Sequence, residues 1–275
     1  MKSVIKVIGI ILKKENLKFV DEVESKEFII NDKNLKETLI IDATYTEPFY
    51  HVNEFLITKY TKDIIKNINT LIKNKKIKEC HLAITGNNHN LEEKIITLTD
   101  KYKNIKILKT PNIYPIAYEK NLIRYLKHTD KCENIKVIEL KDFYKPIETK
   151  IITVYYDKIY DIEVPYNIKI KDILKNLKIK ENVLVFENGP LRGYLSDKDK
   201  VLGSSTSCIY LEKEHKKNEE KCIRCGKCMN NCPLKLNPTI IDKNLKEKCI
   251  KCGICTYICP SFIPLKQKIE EFQND

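Results

Sequence analysis

Eight of the eleven cysteines stand in two copies of one spacing: Cys222, Cys225, Cys228 and Cys232 before Pro233, and Cys249, Cys252, Cys255 and Cys259 before Pro260. Thiolates are soft ligands. Three of them with two residues between neighbours can take three corners of a cubane iron-sulfur cluster, while a fourth, three residues on, points away toward a second cluster. The spacing therefore predicts two 4Fe-4S clusters with exchanged fourth ligands. Cys222, Cys225, Cys228 and Cys259 would hold one, and Cys249, Cys252, Cys255 and Cys232 the other.

Residues between the ligands agree. Gly226 and Gly253 follow the second cysteine of each copy, where a missing Cβ lets the backbone curl against the cluster, and Pro233 and Pro260 end the turn. Zinc usually pairs two close ligands with two distant ones, which leaves a third cysteine in each tight run without a role. A disulfide framework suits a small secreted domain, whereas these cysteines crowd the tail of a 275-residue chain that opens without a secretion signal. Cys80, Cys132 and Cys208 are isolated in sequence, and Cys80 and Cys208 fall in apolar runs where a thiol packs as a small hydrophobe.

No other constellation reads as catalytic. His51, His81, His89, His128 and His215 are scattered, without His-Glu-x-x-His spacing, and read as ordinary surface or core histidines. Ser204 to Ser207 lacks a nucleophile-elbow glycine pattern, and Tyr155 and Tyr156 read as sheet residues. Asp42 and Glu47 follow a strand end, where α/β folds place ligands, and are candidates for a vestigial pocket.

The formal charge is +12, yet it is nearly all lysine spread along the chain, with Arg124, Arg192 and Arg224 the sole arginines. A nucleic-acid face would cluster arginine with aromatics, so no nucleic-acid partner is expected. Two ligated clusters would lower the charge to about +8. A basic surface of this kind can steer a protein toward acidic electron carriers or anionic headgroups. No apolar run approaches the roughly 18 residues of a spanning helix. Val4 to Leu12 is short and broken by Lys6. The expected place is the cytoplasm, where thiols stay reduced, with peripheral association at the inner face of the membrane as the alternative.

The elements that must position the cysteines follow from periodicity. Thr38 to Asp42 reads as a buried strand, and apolar residues from Val52 to Ile72 recur at helical steps. A strand at Cys80 to Ile84, a turn at Gly86-Asn87-Asn88, a helix from Leu91 to about Tyr102, a strand at Ile105 to Leu108 and a helix from about Pro115 to Leu126 complete a small parallel-sheet, Rossmann-like unit. The polar stretch from His128 to Glu133 reads as a boundary. Beyond it, strands at Ile151 to Tyr156 and Tyr160 to Pro165, a short helix near Ile170 to Leu177, and strands at Val183 to Phe186 and Ser207 to Leu211 have the order of a β-grasp module. A polar linker, Glu212 to Lys221, leads to the cluster segment, whose end from Leu265 to Phe272 reads as helix.

Several strings, in this order, carry a resemblance to RnfC, the cluster-bearing peripheral subunit of the Rnf membrane electron-transport complex. Thr46-Glu47-Pro48-Phe49-Tyr50 is similar to the family's Glu-Pro-Tyr segment, and Tyr114-Pro115 with Glu119-Lys120 to its Tyr-Pro and Glu-Lys helix start. Asn188 to Gly193 resembles its Gly-Gly-Pro-Met-Met-Gly loop, and Cys259-Pro260-Ser261 with Ile263-Pro264-Leu265 the segment closing its cluster domain. The resemblance implies four parts: 1–37, a remnant of the flavin-loop region; 38–130, an α/β domain like the complex I flavoprotein; 148–212, an SLBB-like β-grasp module; and 218–275, a helical ferredoxin-type domain with two 4Fe-4S clusters. It further implies an electron conduit between ferredoxin and NAD.

Three departures shape the expected function. The family's glycine-rich loop cradles a flavin phosphate through backbone amides, but here Gly9-Ile10-Ile11 is followed by Leu12-Lys13-Lys14-Glu15-Asn16, without glycine. Tyr45 and Thr85-Gly86 stand where carboxylates near flavin and nucleotide would be expected, and the family's amino-terminal barrel-like segment is missing. The expectation is a reduced RnfC-like relay of single electrons, without FMN or NAD(H) of its own, working with ferredoxin, flavoprotein or reductase subunits. Lys221, Arg224, Lys227 and Lys251 lie near enough in sequence to tune the cluster potentials. Alternatives are an NADH:acceptor oxidoreductase subunit binding FMN atypically, and an iron-sulfur interaction or sensor scaffold.

Overall fold

The computed structural model describes residues 18–19, 37–74, 77–86, 89–143, 149–180, 182–213 and 219–274. The segment Gly9 to Asn16, which carries the glycine-poor loop, lies outside these residues. In chain order the elements are β1 (Lys18–Phe19), β2 (Thr38–Asp42), α1 (Val52–Asn74), β3 (Glu79–Thr85), α2 (His89–Thr99), β4 (Ile105–Thr110), α3 (Glu119–Thr129), β5 (Ile135–Glu139) and α4 (Leu140–Phe143). There follow β6 (Thr149–Tyr156), β7 (Lys158–Pro165), α5 (Ile170–Asn176), β8 (Val183–Glu187), β9 (Tyr194–Ser196) and β10 (Cys208–Lys213), then α6 (Lys227–Asn230), α7 (Lys243–Lys248), α8 (Ile254–Tyr257) and α9 (Leu265–Asn274).

Strand β2 is buried along its whole length because both faces of its sheet are covered. Leu39 and Ile41 pack with Leu56, Ile64 and Ile68 of α1 and Ile95 of α2, while Ile40, pointing the other way, packs with Leu122 and Leu126 of α3. The sheet is parallel throughout, in the order β4-β3-β2-β5. Helix α1 is interrupted at Tyr60 (φ −111°, ψ 25°), next to Thr61, whose hydroxyl donates to the Ile57 carbonyl at 2.6 Å. Such back-bonding bends helices.

Two expectations shift. The polar stretch 128–133 is not the edge of this unit, since β5 follows it and pairs in register with β2 from Thr38 and Ile135 to Asp42 and Glu139. A surface loop is polar for the same reason that a linker is. The third helix starts at Glu119, not Pro115. Pro115 lies in a turn after a cis peptide bond, and its carbonyl accepts from the Asn121 side chain at 2.8 Å.

The second sheet is mixed, in the order β1-β7-β6-β10-β8-β9. Strands β6 and β7 form a hairpin around Asp157, and β10 returns parallel beside β6. Ile170, Ile173 and Leu174 of α5 cover one face, against Ile152, Val154, Ile162 and Ile209. The opposite face turns Ile151 and Cys208 into the core around α1, so the two sheets share a hydrophobic seam. The tail is mostly loop and short helix around a small core of Leu236, Leu245 and Ile269.

Candidate metal centre

The eight cysteines sit on a backbone that repeats itself 27 residues on. In each copy the residue before the second cysteine is left-handed, Arg224 and Lys251 both at φ 55°, and so is the glycine after it, Gly226 at 71° and Gly253 at 79°. One short helix then follows, α6 or α8, carrying the third cysteine. The Cys232 amide donates to the Met229 carbonyl at 3.1 Å and the Cys259 amide to that of Thr256 at 3.2 Å, which turns the fourth cysteine out of the helix. The first sulfur of each copy accepts a backbone N–H at 3.4 Å, Cys222 from Arg224 and Cys249 from Lys251.

The sulfurs are sorted into two quartets. One cavity is lined by Cys222, Cys225, Cys228 and Cys259, with Arg224, Met229, Ile241 and Ile263; another by Cys232, Cys249, Cys252 and Cys255, with Lys251, Leu245 and Ile269. Each quartet takes three cysteines from one copy and one from the other. The surroundings differ: Cys222 and Cys225 are exposed, whereas Cys252 is buried and its quartet rests on the Leu236, Leu245 and Ile269 core. The donor set fits iron-sulfur clusters. Burial pushes the Cys255 thiol up to about 12, so a bound metal is what would hold that quartet ionised.

The buried quartet is tied to the rest of the chain through a junction that the sequence did not announce. Glu47, 4% exposed, accepts the backbone N–H groups of Leu191 and Arg192, each at 3.1 Å. The Tyr114 hydroxyl lies 3.0 Å from Glu47 Oε1 and 2.6 Å from the Cys252 carbonyl. A phenol has one proton, so the Tyr114 hydroxyl divides its donation between the Cys252 carbonyl, the shorter contact, and Glu47 Oε1. Burial pushes the Glu47 carboxyl up to about 7 against the pull of its hydrogen bonds and Arg192. The Arg192 guanidinium lies over the Tyr118 ring, 4.7 Å from its centroid, and Lys266 of α9 donates to the carbonyls of Arg192 and Gly193. Strings that carried the resemblance, Glu47, Tyr114 and the 188–193 loop, thus meet beside Cys252. Tyr114 was legible only as part of a matched string.

Asp42 is fully buried at the end of β2 and is not part of this junction. Its Oδ1 accepts from the Thr44 amide and hydroxyl at 2.9 and 2.6 Å, while Oδ2 is buried without a partner, and burial pushes the carboxyl up to about 7. Tyr45 donates to Glu54. Tyr155 stacks on Phe49 and Tyr210, as expected of a sheet residue.

Residues 24–145 match the family model described as Nuo51 FMN-binding domain, and residues 165–271 match the 4Fe-4S dicluster domain. Among curated proteins, the RnfC subunit of the ion-translocating oxidoreductase complex of Buchnera aphidicola subsp. Baizongia pistaciae is 27% identical over 233 residues, covering 73% of this chain and 45% of that protein. Its counterpart from Buchnera aphidicola subsp. Acyrthosiphon pisum is 26% identical over 78% of this chain and 51% of its own length, and that of Vibrio cholerae is 26% identical over 74% and 30%. The chain therefore spans about half the length of these relatives or less. Among solved structures, an NAD+-reducing NiFe-hydrogenase in the air-oxidized state superposes with a TM-score of 0.54 at 11% identity, over 86% of this chain and 47% of that one, and the H2-reduced state with 0.53 at 12%, over 64% and 40%. At such identity the likeness concerns the fold alone. Among the described residues no helix is long and apolar enough to cross a membrane. The chain is thus similar to RnfC over most of its length, with a segment similar to a 4Fe-4S dicluster domain following one similar to the Nuo51 FMN-binding domain.

Proposed function

We propose that the chain relays single electrons through two 4Fe-4S clusters as a subunit of an electron-transport complex, without a flavin of its own. The observation that carries this reading is the sorting of eight cysteines into two quartets, each completed by the other copy of the motif. Cys222, Cys225, Cys228 and Cys259 hold one cluster; Cys249, Cys252, Cys255 and Cys232 hold the other. When bound, such clusters supply one-electron redox chemistry and nothing that divides a hydride. The protein's part is to set the potentials. The amides of Arg224 and Lys251 point at a sulfur in each quartet, and the cations of those residues line the two cavities.

The glycine-free Leu12 to Asn16 supports the absence of a flavin, as does Glu47, whose carboxyl oxygens already accept from Leu191, Arg192 and Tyr114. The six-stranded sheet, with its hairpin, crossing helix and parallel return strand, is an SLBB-like β-grasp module that brings the 188–193 loop to the buried quartet. Partners are a soluble donor such as ferredoxin or a flavoprotein, and subunits of a membrane complex of the kind named for the relatives, which the chain joins peripherally from the cytoplasm.

Anaerobic purification with iron, sulfide and flavin quantification, followed by paramagnetic resonance of the reduced protein, tests the reading. About eight irons, two interacting signals and no flavin are expected. C259S should remove the cluster of Cys222, Cys225 and Cys228, and C232S the other, each leaving about four irons. Loss of the cluster in the same copy as the mutated cysteine would overturn the exchanged assignment. A second reading, a catalytic NADH:acceptor subunit with FMN, is favoured by the FMN-binding family match over residues 24–145. Stoichiometric flavin with NADH oxidation by the isolated chain would establish it.

A further inference from the structure

At the end of the parallel sheet away from Asp42 and Glu47, four side chains of ligand type converge. Glu79 and His81 open β3 and, two residues apart on one strand, share a face; Asp130 and Cys132 lie in the loop between α3 and β5. Cys132 Sγ is 3.7 Å from His81 Nε2 and 2.9 Å from Glu79 Oε1, and His81 Nε2 is 3.3 Å from Glu79 Oε1. One ligand atom from each of the four residues lies within 4.8 Å of the other three. Bonds of about 2.0 Å to nitrogen and oxygen and about 2.3 Å to sulfur give a tetrahedral zinc site edges of about 3.3 to 3.6 Å. Two of the three contacts match such edges, and the third, Cys132 to Glu79 at 2.9 Å, opens by less than 1 Å.

The place also holds a positive charge. Lys106 Nζ, on β4, lies 2.8 Å from Glu79 Oε2 and 2.7 Å from Asp130 Oδ2, filling the side on which Asp130 would complete the tetrahedron. His81 and Cys132 are almost completely buried, whereas the Lys106 side chain is 43% exposed and Asp130 37%. The cluster thus has a buried side of imidazole and thiol, and a half-exposed side of carboxylate and ammonium.

We propose that Glu79, His81, Asp130 and Cys132 form a mononuclear site for a thiophilic divalent cation, Zn2+, with Lys106 as the resident cation that the metal displaces. Imidazole, thiolate and carboxylate together are zinc ligands, and one sulfur among four donors distinguishes this site from the tail. Loading is a ligand exchange with no change of oxidation state. Zn2+ enters, the Cys132 thiol passes its proton to solvent, and the Lys106 ammonium swings into water, still charged. The site stands apart from the cysteine quartets and does not depend on the electron-relay reading.

The test uses the full chain with both clusters reconstituted anaerobically, so that the quartet thiols are occupied. Zinc titrated in competition with a chromophoric chelator should load one ion per chain beyond the cluster iron, and zinc-edge X-ray absorption should find one sulfur with three nitrogen or oxygen neighbours. C132S and H81Q should weaken binding about a hundredfold or more with iron content unchanged, whereas K106M should tighten it about tenfold. That opposite sign separates a metal site from a structural salt-bridge cluster, in which losing Lys106 only destabilises. Absence of zinc from the wild-type holoprotein, a shell of four sulfurs, or K106M binding no tighter than wild type would overturn the proposal.

Discussion

Replacing Gly253 and Gly226 in turn by alanine measures how tightly the cluster tail is held to the body of the chain. The two glycines occupy the same place in the two copies and have nearly the same backbone, φ 79° and 71°, so both variants incur the left-handed strain of a Cβ, about 1–2 kcal/mol. Their neighbours differ. A Cβ on Gly226 would meet nothing closer than Asn230 Nδ2 at 3.8 Å, whereas one on Gly253 would lie 2.0 Å from the Leu191 carbonyl oxygen and 2.6 Å from its carbon. Backbone atoms cannot swing aside as a side-chain tip can, so the 188–193 loop must retreat from α8. Overpacking of that kind costs about 1–3 kcal/mol more. G253A should therefore lose about 2–5 kcal/mol and G226A about 1–2. For a chain of this size each kcal/mol lowers the melting temperature by about 2–4 °C. Anaerobic melts of the two holoproteins, matched for iron content, provide the comparison. Hydrogen exchange provides the mechanism: the Leu191 and Arg192 amides, which donate to Glu47, should exchange faster in G253A and at the wild-type rate in G226A. Equal melting temperatures, or unchanged exchange at those amides in G253A, would refute the reasoning.

Three further outcomes follow from the same junction and its neighbour. Glu47, its carboxyl raised to about 7 by burial, binds a proton more readily folded than unfolded, so its contribution to stability is complete below about pH 4.3 and is lost as pH rises toward 7. Urea unfolding at a series of pH values should show the stability of wild type relative to E47Q falling by up to about 3 kcal/mol across that window. Asp42 is raised in the same direction by its burial, and D42N should show the same sign. Y114F removes the donor to the Cys252 carbonyl and should cost about 1–3 kcal/mol, while shifting the midpoint potential of one cluster of the two in a redox titration; a shift of both or of neither would count against the arrangement.

The parts of this molecule written in local spacing were legible without coordinates. The strand at Thr38 to Asp42 and the stripe from Val52 to Ile72 carry their own periods, so each emerged close to where it lies. Contacts across the fold leave no period. The polar loop at 128–133 resembles a linker in composition, and only the pairing of Ile135 with Thr38 makes it an interior connection of the sheet. His81 and Cys132 read as isolated because 51 residues separate side chains that end 3.7 Å apart. The one available hint was Glu79 beside His81 on a strand, where alternate residues face the same way. Tyr114 and Glu47 are 67 residues apart and reach Cys252 only after three segments have folded.

The duplicated tail repeats its backbone turn at equivalent positions, φ 71° at Gly226 and 79° at Gly253, but their surroundings differ. Tyr114 and Leu191 hold the half that carries Cys252, with Lys266 of the tail donating back to the Gly193 carbonyl, while Cys222 and Cys225 are exposed. A twofold unit standing alone has interchangeable ends; this one has a bare terminal and an insulated one. On the proposed relay, polarity of electron passage is conferred by the host sheets and not by the cysteine motif, and a graft of residues 219–274 onto another scaffold would carry over the eight cysteines while discarding their orientation.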